Sequence, residues 1–377
     1  MEQLKVLSVF GTRPEGIKMA PIVKLLDQDD RFCHKTCVTG QHKEMLDQVL
    51  TIFNIQPDYD MEIFEHGQTL TQITTRTLEG LEQIFKEFKP QILLVQGDTT
   101  TVFAGALAAF YHQIKIGHVE AGLRSGNLMS PYPEEGNRKM AGVITHFHFA
   151  PTQSAADNLL KESYPPNRIF ITGNTVIDAL KQVVDKNYVF ENRFLNQLDF
   201  KYKRIILLTA HRRENIGEPM KRIFTAVKEI VTRHMDVEVV YPVHLNPKVK
   251  EIADEVFDHH PRVHLIPPLD YLPFANLLNR CHLVVTDSGG IQEEAPALGK
   301  PVLVVREETE RPEGISAGTA KLVGTQTEGL YHALTELLNS ETAYGQMANA
   351  VNPYGDGKAA ARIRDVLVKH EMKNNPV

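Results

Sequence analysis

Thr286-Asp287-Ser288-Gly289-Gly290-Ile291-Gln292-Glu293-Glu294-Ala295-Pro296-Ala297-Leu298-Gly299-Lys300-Pro301 follows His282-Leu283-Val284-Val285, an apolar run that reads as a buried parallel strand. Ser288, Gly289 and Gly290 make a tight turn, residues 291–298 a helix, Gly299 its cap, and Pro301 opens another strand over 301–305. A strand, a glycine turn and a helix in that order leave backbone N–H groups without partners. They also aim the positive end of the helix at the carboxyl edge of the strand. That is an anion site, and phosphate is its usual occupant. Glu294, one turn into the helix, is placed to accept two hydrogen bonds from a ribose diol. An ordinary βα turn with a solvated acidic helix start has the same composition, so the rest of the chain must decide between them.

The pattern of apolar strand and following charged loop recurs upstream. Residues 5–10 read as a first strand, followed by Gly11-Thr12-Arg13-Pro14-Glu15-Gly16-Ile17-Lys18 and a helix to about residue 26. Arg13 and Pro14 stand where a dinucleotide site would carry Gly-x-Gly-x-x-Gly, which argues against bound NAD. Arg13 and Lys18 instead put two cations at a helix start, a position the helix dipole disfavours unless an anion binds there. Residues 36–39 read as a second strand and 69–88 as a long amphipathic helix. A strand over 91–96 leads to Gly97-Asp98-Thr99-Thr100, and one over 115–119 leads to Glu120. Asp98 reads either as a helix cap or as a carboxylate on the ligand edge of an open sheet. Pro133 begins a helix with Glu134 and Glu135 in its first turn. Three separate acids, Asp98, Glu120 and Glu134, are thereby expected on one rim, an arrangement suited to acid/base chemistry.

Residues 147–150 and 168–171 read as the last strands of a first domain, closed by Gly173-Asn174-Thr175. The stretch 186–203 is polar and aromatic without a clear period, so the connection falls in it or just before it. We expect domains over 1–175 and 176–357, and a C-terminal helix over 358–377 that packs back on the first domain. In the second half a strand over 204–209 ends in His211-Arg212-Arg213-Glu214, a local basic site. Strands over 237–242 and 263–266 follow, the latter ahead of Leu269 and Phe274, a ring that packs either on a base or in the core. Arg311 sits in a charged loop after the quoted stretch. Strand and helix alternate throughout, so both halves are parallel α/β sheets whose charged rims are expected to face each other across a cleft.

Composition narrows the class. The 377 residues suit two domains, and 42% hydrophobic with 23% charged residues is ordinary for a protein with a packed core. A net charge of −6 argues against a nucleic-acid surface, so an anionic ligand must be held by local cations. No apolar run reaches the roughly 20 residues needed to span a bilayer, and Met1 leads directly into a strand. We expect a cytoplasmic protein with no signal peptide and no membrane contact. Three cysteines, Cys33, Cys37 and Cys281, read as free thiols, and no metal site is expected.

Taken together, Gly11-Thr12-Arg13-Pro14-Glu15, Gly97-Asp98-Thr99-Thr100, His118-Val119-Glu120-Ala121-Gly122-Leu123-Arg124, Pro133-Glu134-Glu135, Gly173-Asn174-Thr175, His211-Arg212-Arg213-Glu214, Ser288-Gly289-Gly290-Ile291-Gln292-Glu293-Glu294 and Asn352-Pro353-Tyr354-Gly355-Asp356-Gly357 resemble, over nearly the whole chain, the non-hydrolysing UDP-N-acetylglucosamine 2-epimerases. The resemblance implies an α/β fold of two Rossmann-like domains of the glycosyltransferase B type. It implies UDP held by Arg13, His211, Ser288, Gly289, Gly290, Glu294 and Arg311, with uracil against the Leu269 backbone and the Phe274 ring. It implies a sugar pocket lined by Lys18, Asp98, Glu120, Glu134 and His211. It further implies a homodimer without a cofactor, interconverting UDP-GlcNAc and UDP-ManNAc for cell-surface polysaccharide or teichoic acid synthesis. Gly16, Gln96 and Gly136 depart from alanine, histidine and a larger residue. Glu44 and Gly67 depart from the glutamine and arginine that some relatives use for a second, activating substrate molecule, which puts allosteric activation near Gln41 and His42 in question.

The C2 proton of the sugar has no neighbouring carbonyl. Epimerisation therefore needs either oxidation at C3, for which the first loop lacks the NAD fingerprint, or elimination of UDP to a glycal followed by re-addition. The second route needs carboxylates about C2 and a cationic cradle for the departing pyrophosphate. Alternatives are a glycosyltransferase of the same fold, a hydrolysing epimerase, and a sugar-nucleotide sensor without catalysis. Product identity separates them.

Overall fold

The computed structural model describes residues 3–40, 43–63, 65 and 67–372. The chain forms two compact units: one runs to Lys181 and resumes at Tyr354, the other is Gln182–Pro353. In the first, β1 (Leu4–Phe10), β2 (Phe32–Val38), β3 (Tyr59–Asp60), β4 (Ile92–Gln96), β5 (Lys115–Val119), β6 (Phe147–Ala150) and β7 (Ile169–Ile171) form a parallel sheet in the order β3-β2-β1-β4-β5-β6-β7. Successive strand residues leave opposite faces. Val6, Phe10 and Leu94 enter one core with Ile22, Val23 and Leu26 of the helix Arg13–Asp27. Leu7, Val9, Leu93 and Val95 enter another with Leu81 and Phe85 of Leu70–Phe88 and Val102 and Ala106 of Thr100–Tyr111. Both faces are covered, which is why these strands are apolar without alternation.

The second unit repeats the plan. Its strands β8 (Arg204–Thr209), β9 (Val237–Pro242), β10 (Val263–Ile266), β11 (Leu283–Thr286), β12 (Val302–Val304) and β13 (Ala320–Leu322) form a parallel sheet in the order β10-β9-β8-β11-β12-β13. Ile206, Leu208 and Val285 pack under Ile223, Val227 and Ile230 of the helix Glu218–Arg233. Ile205, Leu207 and Val284 face Leu277 and Leu278 of Tyr271–Arg280. In each sheet the winding reverses beside its first strand: β1 lies between β2 and β4, and β8 between β9 and β11. Loops leaving such a pair diverge, so a crevice opens at the carboxyl ends, where ligands of open α/β sheets bind.

The expected boundaries, 175/176 and 357/358, move to 181/182 and 353/354. Long-range hydrogen bonds are the reason. Asp178 accepts the Ala359 and Ala360 amides at 3.1 and 2.9 Å, and Lys181 Nζ donates to the Asp356 carbonyl at 2.8 Å. The C-terminal segment forms the helix Ala359–Leu367, continued by a π-helical turn over Val368–Met372, and its Ala360, Ile363 and Leu367 lie in the core beside Arg13–Asp27; residues 373–377 lie outside the described residues. The stretch 186–203 is not a free linker. It contains the short helix Arg193–Gln197, and Phe190 and Leu195 are buried in the second unit. The helix of the quoted stretch is Gly289–Ala297, so both glycines lie in its first turn rather than before it, and the next strand is shortened to β12. Asp287 and Ser288 make the turn instead, donating through their amides to the Thr209 carbonyl and the Thr286 hydroxyl.

Candidate active site

In the first unit the helix after β1 begins with a capping box, the Thr12 hydroxyl accepting from the Glu15 amide and Glu15 accepting from Thr12. Glu15 Oε2 accepts the Gly11 and Thr12 amides at 2.8 and 2.7 Å, while Thr99, in the loop after β4, donates to Oε1. One buried carboxylate thus ties together the two loops that flank the switch point. Burial pushes Glu15 above its ordinary value, against the pull of Thr99 and the two amides.

Arg13 stands half-buried at the first position of that helix, and Lys18 reaches out from its second turn. Lys18 Nζ lies 2.7 and 2.6 Å from the two oxygens of Glu120. Glu120 follows β5 with a left-handed backbone, φ +64, which costs a residue with a β-carbon about 1 kcal/mol or more. Asn174 Nδ2 donates to its Oε1 at 3.0 Å, and the Gln96 side chain, at the end of β4, donates to Oε2.

Asp98 belongs to a second cluster. Arg138 Nη2 donates to its Oδ2 at 2.6 Å, and Asn137 Nδ2 to its carbonyl at 2.9 Å. Both donors lie on the helix Glu134–Ile144. Arg138 also donates to Glu135, which is wholly buried and accepts the Ser125 and Gly126 amides. Burial alone would raise Glu135; the Ser125 amide, Arg138 and the Gly126 amide outweigh it and hold the carboxyl below its ordinary value. Glu134, at the start of this helix, keeps its buried Oε2 without a hydrogen bond. His118 Nε2 donates to the Gly97 carbonyl at 2.6 Å, and burial lowers its pKa. Burial pushes His148, its register neighbour on β6, down to about 3. Both rings are therefore neutral near pH 7.

In the second unit Asp287, wholly buried after β11, organises the loop after β8. Its Oδ2 accepts the His211 and Arg212 amides, each at 2.9 Å, and Asn215 Nδ2 at 3.0 Å. His211 Nδ1 lies 3.4 Å from Oδ1, and its ring stacks on His244 with centroids 5.4 Å apart. Arg212 Nε donates to the Asp287 carbonyl at 3.2 Å. Ser288 caps the helix Gly289–Ala297 without a side-chain hydrogen bond, leaving its first-turn amides to other acceptors. A β-carbon on Gly289 would have as its nearest neighbour Arg212 Nη2, at 3.9 Å. Arg311 pairs with buried Glu293 of that helix, and Arg212 and Arg306 each face Glu310 at 3.5 and 3.6 Å. Leu269 and Phe274 are half-buried against the core on the loop and helix after β10.

The family model described as UDP-N-acetylglucosamine 2-epimerase matches residues 24–368. The chain is 55% identical to the UDP-N-acetylglucosamine 2-epimerase of Bacillus subtilis, with 98% of this chain and 96% of the relative covered. It is 54% identical to that of Yersinia pestis, over 98% and 100%. The chain belongs to the UDP-N-acetylglucosamine 2-epimerase family. Its fold agrees: the crystal structure of the Neisseria meningitidis UDP-GlcNAc 2-epimerase, bound to UDP-GlcNAc, superposes with a TM-score of 0.85 at 47% identity, over 97% of this chain and 100% of that one. The chain is thus an isomerase with two Rossmann-like sheets of the glycosyltransferase B type.

Within this family member, the structure brings Lys18 and Glu120 into contact, and Asp98 has a different partner, Arg138. Gln41 and His42 lie outside the described residues. Sequence reasoning assigned no role to Arg138, Asn174, Asp287 or Asn215. Asp287 carried a signal, since it follows a buried strand just as Asp98 and Glu120 nearly do. Arg138 and Asn174 carried none, because their partners are distant in sequence.

Proposed function

We propose that the chain interconverts UDP-N-acetylglucosamine and UDP-N-acetylmannosamine without hydrolysis, through elimination and re-addition of UDP. A carboxylate takes the C2 proton, the C1–O bond breaks with its electron pair leaving on UDP, and a C1–C2 double bond forms. UDP then returns to C1 as a proton is delivered to the opposite face of C2. No hydride moves, so no redox cofactor is called for. The observation that carries this reading is the company of the three acids: Asp98 with Arg138, Glu120 with Lys18, and Glu134 with a buried oxygen that has no hydrogen bond. Acids in three unlike settings suit a reaction that both takes and gives protons.

The first unit supplies Lys18, Asp98, Glu120 and Glu134 to the sugar and Arg13 to UDP. The second supplies Ser288, Gly289 and Gly290 at a helix start, with His211 and Arg311, to the pyrophosphate. Glu294 takes the ribose, and Leu269 and Phe274 the uracil. We further propose a homodimer serving the synthesis of cell-surface polymers that contain N-acetylmannosamine units.

The test is proton NMR of the protein with UDP-GlcNAc in D2O, with EDTA and without added nicotinamide. UDP-ManNAc carrying deuterium at C2 is the expected product. Free ManNAc would mean a hydrolysing enzyme, and unchanged substrate a glycosyltransferase or a sensor.

A further inference from the structure

We infer that Asn174 is a positioning residue for this reaction: it sets the Glu120 carboxylate against Lys18, and the returning C-terminal segment holds it there. The inference rests on the proposed epimerisation, in which Lys18 and Glu120 line the sugar pocket.

Asn174 lies between β7 and the helix Thr175–Val183. Its Oδ1 accepts the Val176 amide at 3.1 Å, which fixes the orientation of the side-chain amide. Nδ2 is thereby turned to Glu120 Oε1, at 3.0 Å. Its main-chain amide donates to the Tyr354 carbonyl at 2.7 Å, so the loop is pinned by chain 180 residues further on. Two glycines make the crossing possible. Gly173 has φ +86 and Gly355 φ +135, values that L side chains rarely adopt. A β-carbon on Gly173 would lie 3.2 Å from Gly355 Cα, and one on Gly355 would lie 3.4 Å from Asn174 N. Tyr354 is buried, and Lys181 Nζ holds the Asp356 carbonyl on the other side.

The result is a carboxylate gripped on both oxygens. Oε1 takes Lys18 and Asn174; Oε2 takes Lys18 and Gln96. These contacts match the roughly four lone-pair sites of a carboxylate. Lys18 is the mobile member, on a long side chain about one-fifth exposed. Without the Asn174 amide, Oε1 keeps Lys18 but loses its short, rigid donor, and the carboxylate can turn about its contacts at Oε2 and shift against the sugar. A displacement of about 1 Å at a reacting group costs on the order of a hundredfold in rate. Asn174 meets Glu120, which is paired with Lys18; in the helix that follows, the Asp178 oxygens are taken by the Ala359 and Ala360 amides, and Arg362, which donates to the Thr172 carbonyl, is paired with Asp356.

The test uses the full chain and the variant N174D, which is isosteric and keeps the acceptor for Val176 but turns an oxygen toward Glu120. UDP-ManNAc formation is followed across pH 5–9, with melting temperature and UDP affinity alongside. The expected result is a fall in kcat of about a hundredfold near neutral pH with KM within about threefold of wild type. The deficit narrows as pH falls, because the introduced carboxyl regains a proton to donate; UDP affinity is unchanged. If N174D does not fold, N174S, which keeps an acceptor but cannot reach Glu120, should show a loss of about tenfold that is independent of pH. Wild-type kcat in the folded variant, or a loss that tracks melting temperature alone, overturns the proposal. A wild-type protein that fails to epimerise defeats the functional reading itself, and this proposal with it.

Discussion

Asp98 and Glu120 come off neighbouring strands and look alike in sequence, yet one is held by a guanidinium and the other by an ammonium and two amides. Arg138 gives one N–H to Asp98 and another to Glu135, whereas Glu120 is held on both oxygens. The Asp98→Asn variant should keep its shape while losing its ability to take a proton. Turnover of UDP-GlcNAc is expected to fall about 10²- to 10⁴-fold, the usual range for a proton-transferring group, with UDP affinity unchanged because Asp98 is not among the residues proposed to hold UDP. Steady-state kinetics with calorimetry of UDP binding decide it, and near-normal turnover would remove Asp98 from the chemistry. The neighbouring histidines His118 and His148 are no substitute at neutral pH, since burial holds both low.

At the scale of elements, two buried carboxylates hold loops to strand ends. Asp287→Ala would leave the His211 and Arg212 amides and the Asn215 side chain without their acceptor. At about 1–3 kcal/mol for each buried donor left unmade, a loss of about 3 kcal/mol or more in urea unfolding is expected, together with weakened UDP binding. Unfolding within about 0.5 kcal/mol of wild type would show that the loop finds other acceptors. Glu15 plays the same part in the first unit, and its raised pKa has a pH signature. Below about 4.5 the acid is protonated both folded and unfolded, and its contribution to stability is fully present; it is lost as pH rises through the elevated folded value. The stability of the wild type relative to Glu15→Gln, read from melting curves, should therefore fall on going from pH 4.5 upward, by about 1.4 kcal/mol for each pH unit between the two values. Parallel melting curves across that range would contradict it.

At the scale of the whole molecule, two sheets of the same winding present different side chains after their strands, Asp98 and Glu120 in one unit and His211 and Asp287 in the other. UDP alone should protect the second unit. At about a hundredfold excess over its dissociation constant it contributes about 2.7 kcal/mol, and slowed hydrogen exchange should concentrate in 211–215 and 286–291 rather than in β1–β7. Protection spread evenly over both units would contradict that division of labour. Much of this was legible in the residues. A parallel strand buried on both faces must be apolar, and the first polar residues after it must emerge at the carboxyl edge, so Asp98, Glu120, His211 and Ser288 could be placed on that edge from local pattern alone. What could not be read were the long-range pairings. Arg138 lies 40 residues from Asp98, Asn174 lies 54 from Glu120, and Asp178 lies 182 from Ala360. Apolar periodicity records which face of an element is buried, but not which distant donor is folded against it. For the same reason the unit boundaries shifted by a few residues and the stretch 186–203 proved to be packed. A hydrogen bond between remote segments has no local signature, and it forms only when the sheets bring its two ends within about 3 Å.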